Sequence, residues 1–261
     1  KVTTQPGVEC WQEKKPIEKI GLYIPGGSAP LFSTILMLAV PAQIAGCKKI
    51  VLCSPPSKDG TLPDVVLYTA QLCGVKDVYK VGGIQAIAAM ALGTESIPKV
   101  HKIFGPGNQY VTVAKQCATR HHVAIDMPAG PSELLVAADG TANPNFIAAD
   151  LLSQAEHGKD SQVLFVTTHK PLLEEVSRAI ESQLRELPRK EIAAAALKNS
   201  KALYFNEDST AIEFINAYGP EHYIVCVQNE DLYLDNVINA GSVFVGNYTP
   251  ESAGDYASGT N

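Results

Sequence analysis

The sequence of 261 residues has no CxxC pair, no basic run and no apolar stretch long enough to span a membrane. Each absence removes a class of function. The six cysteines, Cys10, Cys47, Cys53, Cys73, Cys117 and Cys226, stand far apart, so neither a thiolate metal site nor a redox pair is suggested. A chain this long needs no covalent staples, and the cysteines read as reduced core residues. The formal charge is −6, and an acidic surface without a basic patch repels a phosphate backbone, so nucleic acid is not an expected partner. The longest apolar segment, residues 31–47, is broken by Ser33, Thr34, Pro41 and Gln43 and does not read as a span; no membrane association is expected. Residues 1–19 are polar and charged and do not resemble a secretion signal, so the cytosol is the expected compartment. No internal repeat stands out, and the dinucleotide fingerprint GxGxxG is missing.

What remains is a composition of 46% hydrophobic and 18% charged residues, enough for two ordinary folded domains. Short β-branched runs at 21–24, 49–53, 78–81 and 101–104 have the length of buried strands. Helical stretches at 33–45, 63–73, 84–92 and 109–119 lie between and after them. Strand and helix in alternation, joined by short Gly/Pro turns, predicts a parallel α/β sheet. After a Pro/Gly-rich joint at 127–131 the pattern restarts, with strands at 133–138, 161–167, 201–205, 223–227 and 242–245 and helices at 143–157 and 170–186. The expected fold class is therefore α/β. It comprises two Rossmann-like, parallel-sheet domains that are incomplete by fingerprint, with the active site in a cleft between them.

Three turns follow predicted strands: YIPGG at 23–27, VGGIQ at 81–85 and FGPGN at 104–108. Their glycines would let a backbone approach a ligand, and a helix N-terminus beyond them would seat a pyrophosphate. Any α/β fold also needs such joints for no ligand at all. Three of them at one sheet edge favour a ligand-binding edge without naming the ligand.

Three further segments carry polar chemistry. In SQAEHG (153–158) Gln154 and His157 are three apart at a helix end, so both can project from one face, with Cβ atoms roughly 5–6 Å apart. A lone histidine there is more often a partner of the helix dipole or a surface residue. In YGPEHY (218–223) Glu221 and His222 are adjacent and would face different ways, serving separate roles. Histidine, with its ordinary pKa near neutrality, suits proton transfer. In ESAGDYASG (251–259) Asp255 lies among small residues that would let its carboxylate approach an ion. Gln154, His157 and Asp255 together would make an N/O set suited to zinc with open positions. Each segment alone is also an ordinary polar turn.

The strings GLYIPGGSAPLFST, AGCKKIVLCSPP, KIFGPGNQYVTVAK, AIDMPAGPSELLV, DLLSQAEHG, YGPEHY and ESAGDYASGTN, in that order from Gly21 to Asn261, resemble the histidinol dehydrogenase family. The resemblance implies oxidation of L-histidinol through histidinaldehyde to L-histidine with two NAD, the last steps of histidine biosynthesis. It implies an NAD-binding domain, 21–131, inserted into a second domain formed by 1–20 and 132–261. Tyr23, Gln85 and Asn108 match NAD contacts, one per turn. Gln154, His157 and Asp255 match ligands of one zinc per subunit. Ser132 matches a substrate contact, and Gln154, His157, His222 and Asp255 would meet the substrate too. Glu221 and His222 match the catalytic pair, His222 taking the hydroxyl proton and Glu221 activating water. The resemblance further implies a homodimer, a segment before Lys1, and a tail beyond Asn261. In that tail a His would be a fourth zinc ligand and a Glu would bind substrate in the partner's site. A related zinc- and NAD-dependent enzyme for another small alcohol, such as a sulfonated diol, is the second reading. A zinc hydrolase or a non-catalytic nucleotide-binding remnant is the third.

Overall fold

A computed structural model describes residues 1–26, 31–128 and 132–254. The chain divides into two compact units, Lys1–Gly130 and Pro131–Asn261, so that residues 1–20 group with the first.

The first unit opens on a small antiparallel ribbon, β1 (Val2–Gln5) with β2 (Val8–Cys10), exposed throughout. It continues with β3 (Lys19–Tyr23), α1 (Phe32–Ala45), β4 (Lys49–Cys53), α2 (Asp64–Leu72), β5 (Asp77–Tyr79), α3 (Gly83–Leu92), β6 (Lys102–Phe104), α4 (Gln109–Ala118) and β7 (Ala124–Ile125). Five of these strands form a parallel sheet in the order β5-β4-β3-β6-β7. Alternate residues of β3 serve opposite layers. Ile20 and Leu22 belong to the cluster containing Ile35 and Ala39 of α1 and Val66 of α2. Tyr23 belongs to the one containing Ile87 and Met90 of α3 and Val111 of α4. Helices on both faces explain why the strands are apolar without polar alternation.

The second unit repeats the plan: β8 (Glu133–Ala138), α5 (Pro144–Ala155), β9 (Gln162–Thr167), α6 (Lys170–Glu186), α7 (Lys190–Leu197), β10 (Lys201–Tyr204), α8 (Asp208–Tyr218), β11 (His222–Cys226), α9 (Glu230–Leu234) and β12 (Ser242–Val245). Its sheet order is β10-β9-β8-β11-β12, again wholly parallel. Leu134 and Val136 pack with α5, α6 and α7, whereas Leu135 and Ala137 pack with α8 and Tyr233 of α9. Local chemistry sets α5: Pro144 starts it, and the Asn143 side chain caps it by accepting from Asn145 N–H at 2.9 Å.

Both sheets thus have a doubly wound order with one switch point, between β3 and β6 in the first and between β8 and β11 in the second. All six cysteines are free. The expectation that they are core residues holds for Cys53 and Cys226 and is corrected for Cys10 and Cys117, which are exposed. Burial pushes both the Cys53 and the Cys226 thiol up to about 12, leaving them unreactive. No helix among the described residues is long and apolar enough to cross a membrane.

Candidate functional site

Tyr23, Gln85 and Asn108 all lie at the carboxyl edge of the first sheet: Tyr23 ends β3, Gln85 is in the first turn of α3, and Asn108 precedes α4. The glycines around them have an explanation within the chain. A Cβ on Gly26 or Gly82 would come 2.6 or 2.3 Å from Pro55, and one on Gly105 would come 2.1 Å from the Tyr23 carbonyl oxygen. Two of the turns thus pack on Pro55 beyond β4 and the third on the end of β3, which leaves no room for a side chain at these glycines. Tyr23 is only 4% exposed, and its hydroxyl accepts from Gly83 N–H at 3.1 Å, tying the first turn to the second. Gln85 and Asn108 are exposed. The Asn108 oxygen accepts from the N–H groups of Tyr110 and Val111, both at 3.1 Å, which caps α4 and leaves the amide N–H₂ as its outward donor. Ile84, Gln109, Tyr110, Val113 and Ala114 line an apolar groove of about 450 Å³ flanking these two residues in sequence.

The second sheet is different at the same edge. Asp139, just after β8, accepts from Gln228 N–H at 2.7 Å and from Thr141 N–H at 2.9 Å. Its carboxylate therefore bridges the two sides of the switch point. Burial pushes the Asp139 carboxyl up, but these hydrogen bonds outweigh it and the net direction is downward.

The other polar residues gather at the amino edge of the second sheet. Ser132 leads into β8 and its carbonyl accepts from Gln162 N–H at 3.2 Å. His222 opens β11 and Glu221 precedes it. The expectation that Glu221 and His222 face apart needs correction, because both reach the backbone of Glu133. Glu221 Oε2 accepts from Glu133 N–H at 3.2 Å, and His222 Nδ1 lies 3.0 Å from the Glu133 carbonyl oxygen. Register explains it: His222 is the cross-strand partner of Leu134, so β8 presents the N–H and the carbonyl of the preceding residue to the two side chains. A carbonyl can only accept, so Nδ1 carries the proton and Nε2 of the neutral ring is free to take one. Glu221 Oε2 is 3.7 Å from Nδ1, too far for a hydrogen bond.

On the other side, Nε2 of His222 lies 3.7 Å from Oε1 of Glu251, a carboxylate only 7% exposed. Neither Glu133 nor Glu251 was a candidate from sequence. Both are inside the strings PSELL and ESAGDY, but no spacing rule marks them, since their importance comes from strand register and chain return. Burial raises the Glu133 carboxyl, and Glu221 adds to the shift.

Gln154 and His157 do not share a helix face in the expected way. Gln154 is inside α5 and 1% exposed, whereas His157 lies beyond the helix end and is exposed. Neither the oxygen nor the nitrogen of the Gln154 amide has a hydrogen-bond partner among the described residues. A buried amide left so costs about 1–3 kcal/mol, an unusual expense unless a ligand completes it. Asp255 lies outside the described residues. Among the described residues no group of three or more His, Cys, Asp or Glu side chains could hold a metal ion.

Asp150 of α5 supplies a separate test of this region. Burial, with Glu251 as the second cause, pushes its carboxyl up to about 6. An acid raised in the folded state keeps its proton while the unfolded chain has lost it. Its contribution to stability is therefore complete below the ordinary carboxylate range and is lost as pH rises to about 6. Asp150→Asn is expected to raise the Tm of the metal-free protein at pH 8 and to leave it nearly unchanged at pH 4. Equal shifts at the two pH values would sink this account.

Residues 1–261 match the histidinol dehydrogenase family model. Histidinol dehydrogenase of Bacteroides thetaiotaomicron is 62% identical over 261 residues, covering all of this chain and 61% of that protein. The enzyme of Escherichia coli (strain K12) is 58% identical over 262 residues, with 59% of its length covered. The crystal structure of histidinol dehydrogenase from Elizabethkingia anophelis superposes with a TM-score of 0.93 at 60% identity, over all of this chain and 60% of that one. The chain spans about 60% of the length of the relatives it matches.

Proposed function

The chain belongs to the histidinol dehydrogenase family, and on that premise we propose that the whole protein oxidises L-histidinol to L-histidine through histidinaldehyde. The first unit would bind NAD and the second would carry the chemistry. The observation that supports the chemistry is the doubly anchored Glu221/His222 pair, with Nδ1 of His222 committed to the Glu133 carbonyl and Nε2 left as a base.

When bound, NAD would supply a hydride acceptor and zinc would supply an anchor for the substrate. In the first oxidation His222 Nε2 takes the hydroxyl proton as the carbon-bound hydrogen leaves with its electron pair. The Glu251 carboxylate lies 3.7 Å from Nε2, on the side where the proton would arrive. Glu221 is half exposed and faces water; it takes a proton from the water that adds to the aldehyde carbon. His222 returns its proton to the aldehyde oxygen, and the resulting hydrate gives up a hydride for a second NAD and a proton to His222 Nε2 to yield the carboxylic acid. Ser132 would contact the substrate at the same edge, and Gln154, His157, His222 and Asp255 would border it.

The Gln154 amide, buried without hydrogen-bond partners among the described residues, fits a metal ligand. With His157 and Asp255 it would hold one zinc ion per subunit, and its oxygen would be the donor. Gln85 and Asn108 offer exposed amides for NAD, beside an apolar groove suited to a planar ring. Tyr23, being buried, would meet NAD only at its exposed margin. We further propose a cytosolic homodimer in which each subunit's tail completes its partner's site.

The test is NADH formation from L-histidinol by the full-length protein. Activity is expected with zinc and is expected to fall below a tenth after chelation. Gln154→Ala and Asp255→Ala should each lower bound zinc by metal analysis. Full occupancy in either variant removes that residue from the ligand set, and no NADH with zinc supplied defeats the substrate assignment.

A further inference from the structure

The first unit buries a lysine. Lys115 of α4 is 4% exposed and forms an ion pair with Asp126, which follows β7. Between them they hold both polar groups of one residue. Lys115 Nζ donates to the Gly105 carbonyl at 2.8 Å, and Asp126 Oδ2 accepts from Gly105 N–H at 2.7 Å. Gly105 begins the turn that ends three residues later at Asn108. It has φ +128°, and its Cα side abuts the Tyr23 carbonyl. No part of the acid–base chemistry uses the pair.

Gly105 is buried, so its N–H and carbonyl need partners within the protein, but neutral side chains could supply both without an ion pair. Burying the Lys115 charge against the partly exposed Asp126 yields little net stability, because desolvation offsets their attraction. What the pair supplies is direction. Gly105 is pinned from α4 on one side and from the end of β7 on the other, so the segment 105–108 has one position relative to both. Asn108 is fixed at the far end by its cap on α4. The pair is neutral as a whole, so it does not act as a charge on the ligand.

We infer that Lys115 and Asp126 are positioning residues for the nucleotide, setting affinity for NAD through the Gly105–Asn108 turn. This rests on the reading that the first unit binds NAD. Holding a turn in the bound geometry beforehand removes an ordering cost from binding.

The experiment uses the full-length protein and three variants: Lys115→Met, Asp126→Asn, and the double variant Lys115→Met/Asp126→Leu. The double variant removes both charges and leaves neither one buried alone, so it protects against a mere failure to fold. Calorimetric titration with NAD is expected to show a Kd about tenfold weaker in all three, with the Tm of the double variant at least as high as that of either single variant. In kinetics the KM for NAD rises by a similar factor, more than kcat falls, and the KM for histidinol changes less than twofold. A double variant with wild-type Tm and wild-type Kd for NAD overturns the inference. So does a loss shared equally between the two substrates. Wild-type protein that fails to bind NAD defeats the underlying reading instead, whereas wild-type binding with unchanged variants defeats the positioning role alone.

Discussion

His222→Asn in the full-length protein is expected to lower kcat for histidinol oxidation about a thousandfold, within the usual range for loss of a general base, while bound zinc stays at the wild-type level. The variant separates two roles that a histidine near a metal can have. Asparagine keeps a side-chain N–H that can reach the Glu133 carbonyl, so the anchor made by Nδ1 at 3.0 Å has a replacement. It has no group that can take a proton in place of Nε2. Strand β11 should remain paired, because its register with β8 and β12 depends on backbone groups and on buried Tyr223, Ile224 and Val225. A fall in kcat with intact zinc fits a base. Loss of zinc would make His222 a ligand and misplace it in the scheme, and an unchanged kcat would remove it from the chemistry.

Much of this fold is legible in the sequence because parallel strands buried on both faces are continuous apolar runs. Lys49–Cys53, Glu133–Ala138 and Ser242–Val245 occur with the bounds expected of them, as does the helix Lys170–Glu186. The omissions have physical causes. Strands β1, β2 and β7 are two to four residues long and mostly exposed, too short for any periodicity to register. Helices α7 and α8 fall where only connections are expected. Their buried faces are small, Ala193 and Ala196 in one and Ala211, Ile212 and Ile215 in the other, and alanines weigh little in an apolar pattern.

The polar sites were legible as residue types and not as geometry. Gln154 and His157 are three apart, but one ends up buried in α5 and the other beyond its end. Glu221 and His222 are neighbours that meet only through Glu133, eighty-nine positions from His222. Such convergence is a property of strand order. The same holds for the contrast between the sheets: nothing in the sequence around Asp139 shows that its carboxylate closes the second switch point.

The glycine-rich turns show how one signal can have two origins, and Gly105→Ala tests which origin dominates. The substitution is expected to destabilise the protein by about 3 kcal/mol or more, combining backbone strain with overpacking. At φ +128° an L residue is strained, and the new methyl would lie 2.1 Å from the Tyr23 carbonyl oxygen, 2.9 Å from its carbon and 3.1 Å from its nitrogen. These are backbone atoms of the central strand β3, which is hydrogen-bonded to β4 and β6 and cannot yield. Gly60→Ala is the matched control. Its φ is +78° and nothing lies within 4 Å of an added methyl, so it bears only the left-handed penalty of roughly 1–2 kcal/mol. Denaturant unfolding followed by circular dichroism reads both. If Gly105→Ala costs no more than Gly60→Ala, close packing does not explain the glycine, and the approach of a ligand is left as its reason. If it costs the larger amount without any NAD present, the glycine answers first to the packing of β6 on β3. The proposed NAD site would then lie where that packing leaves Gln85 and Asn108 exposed.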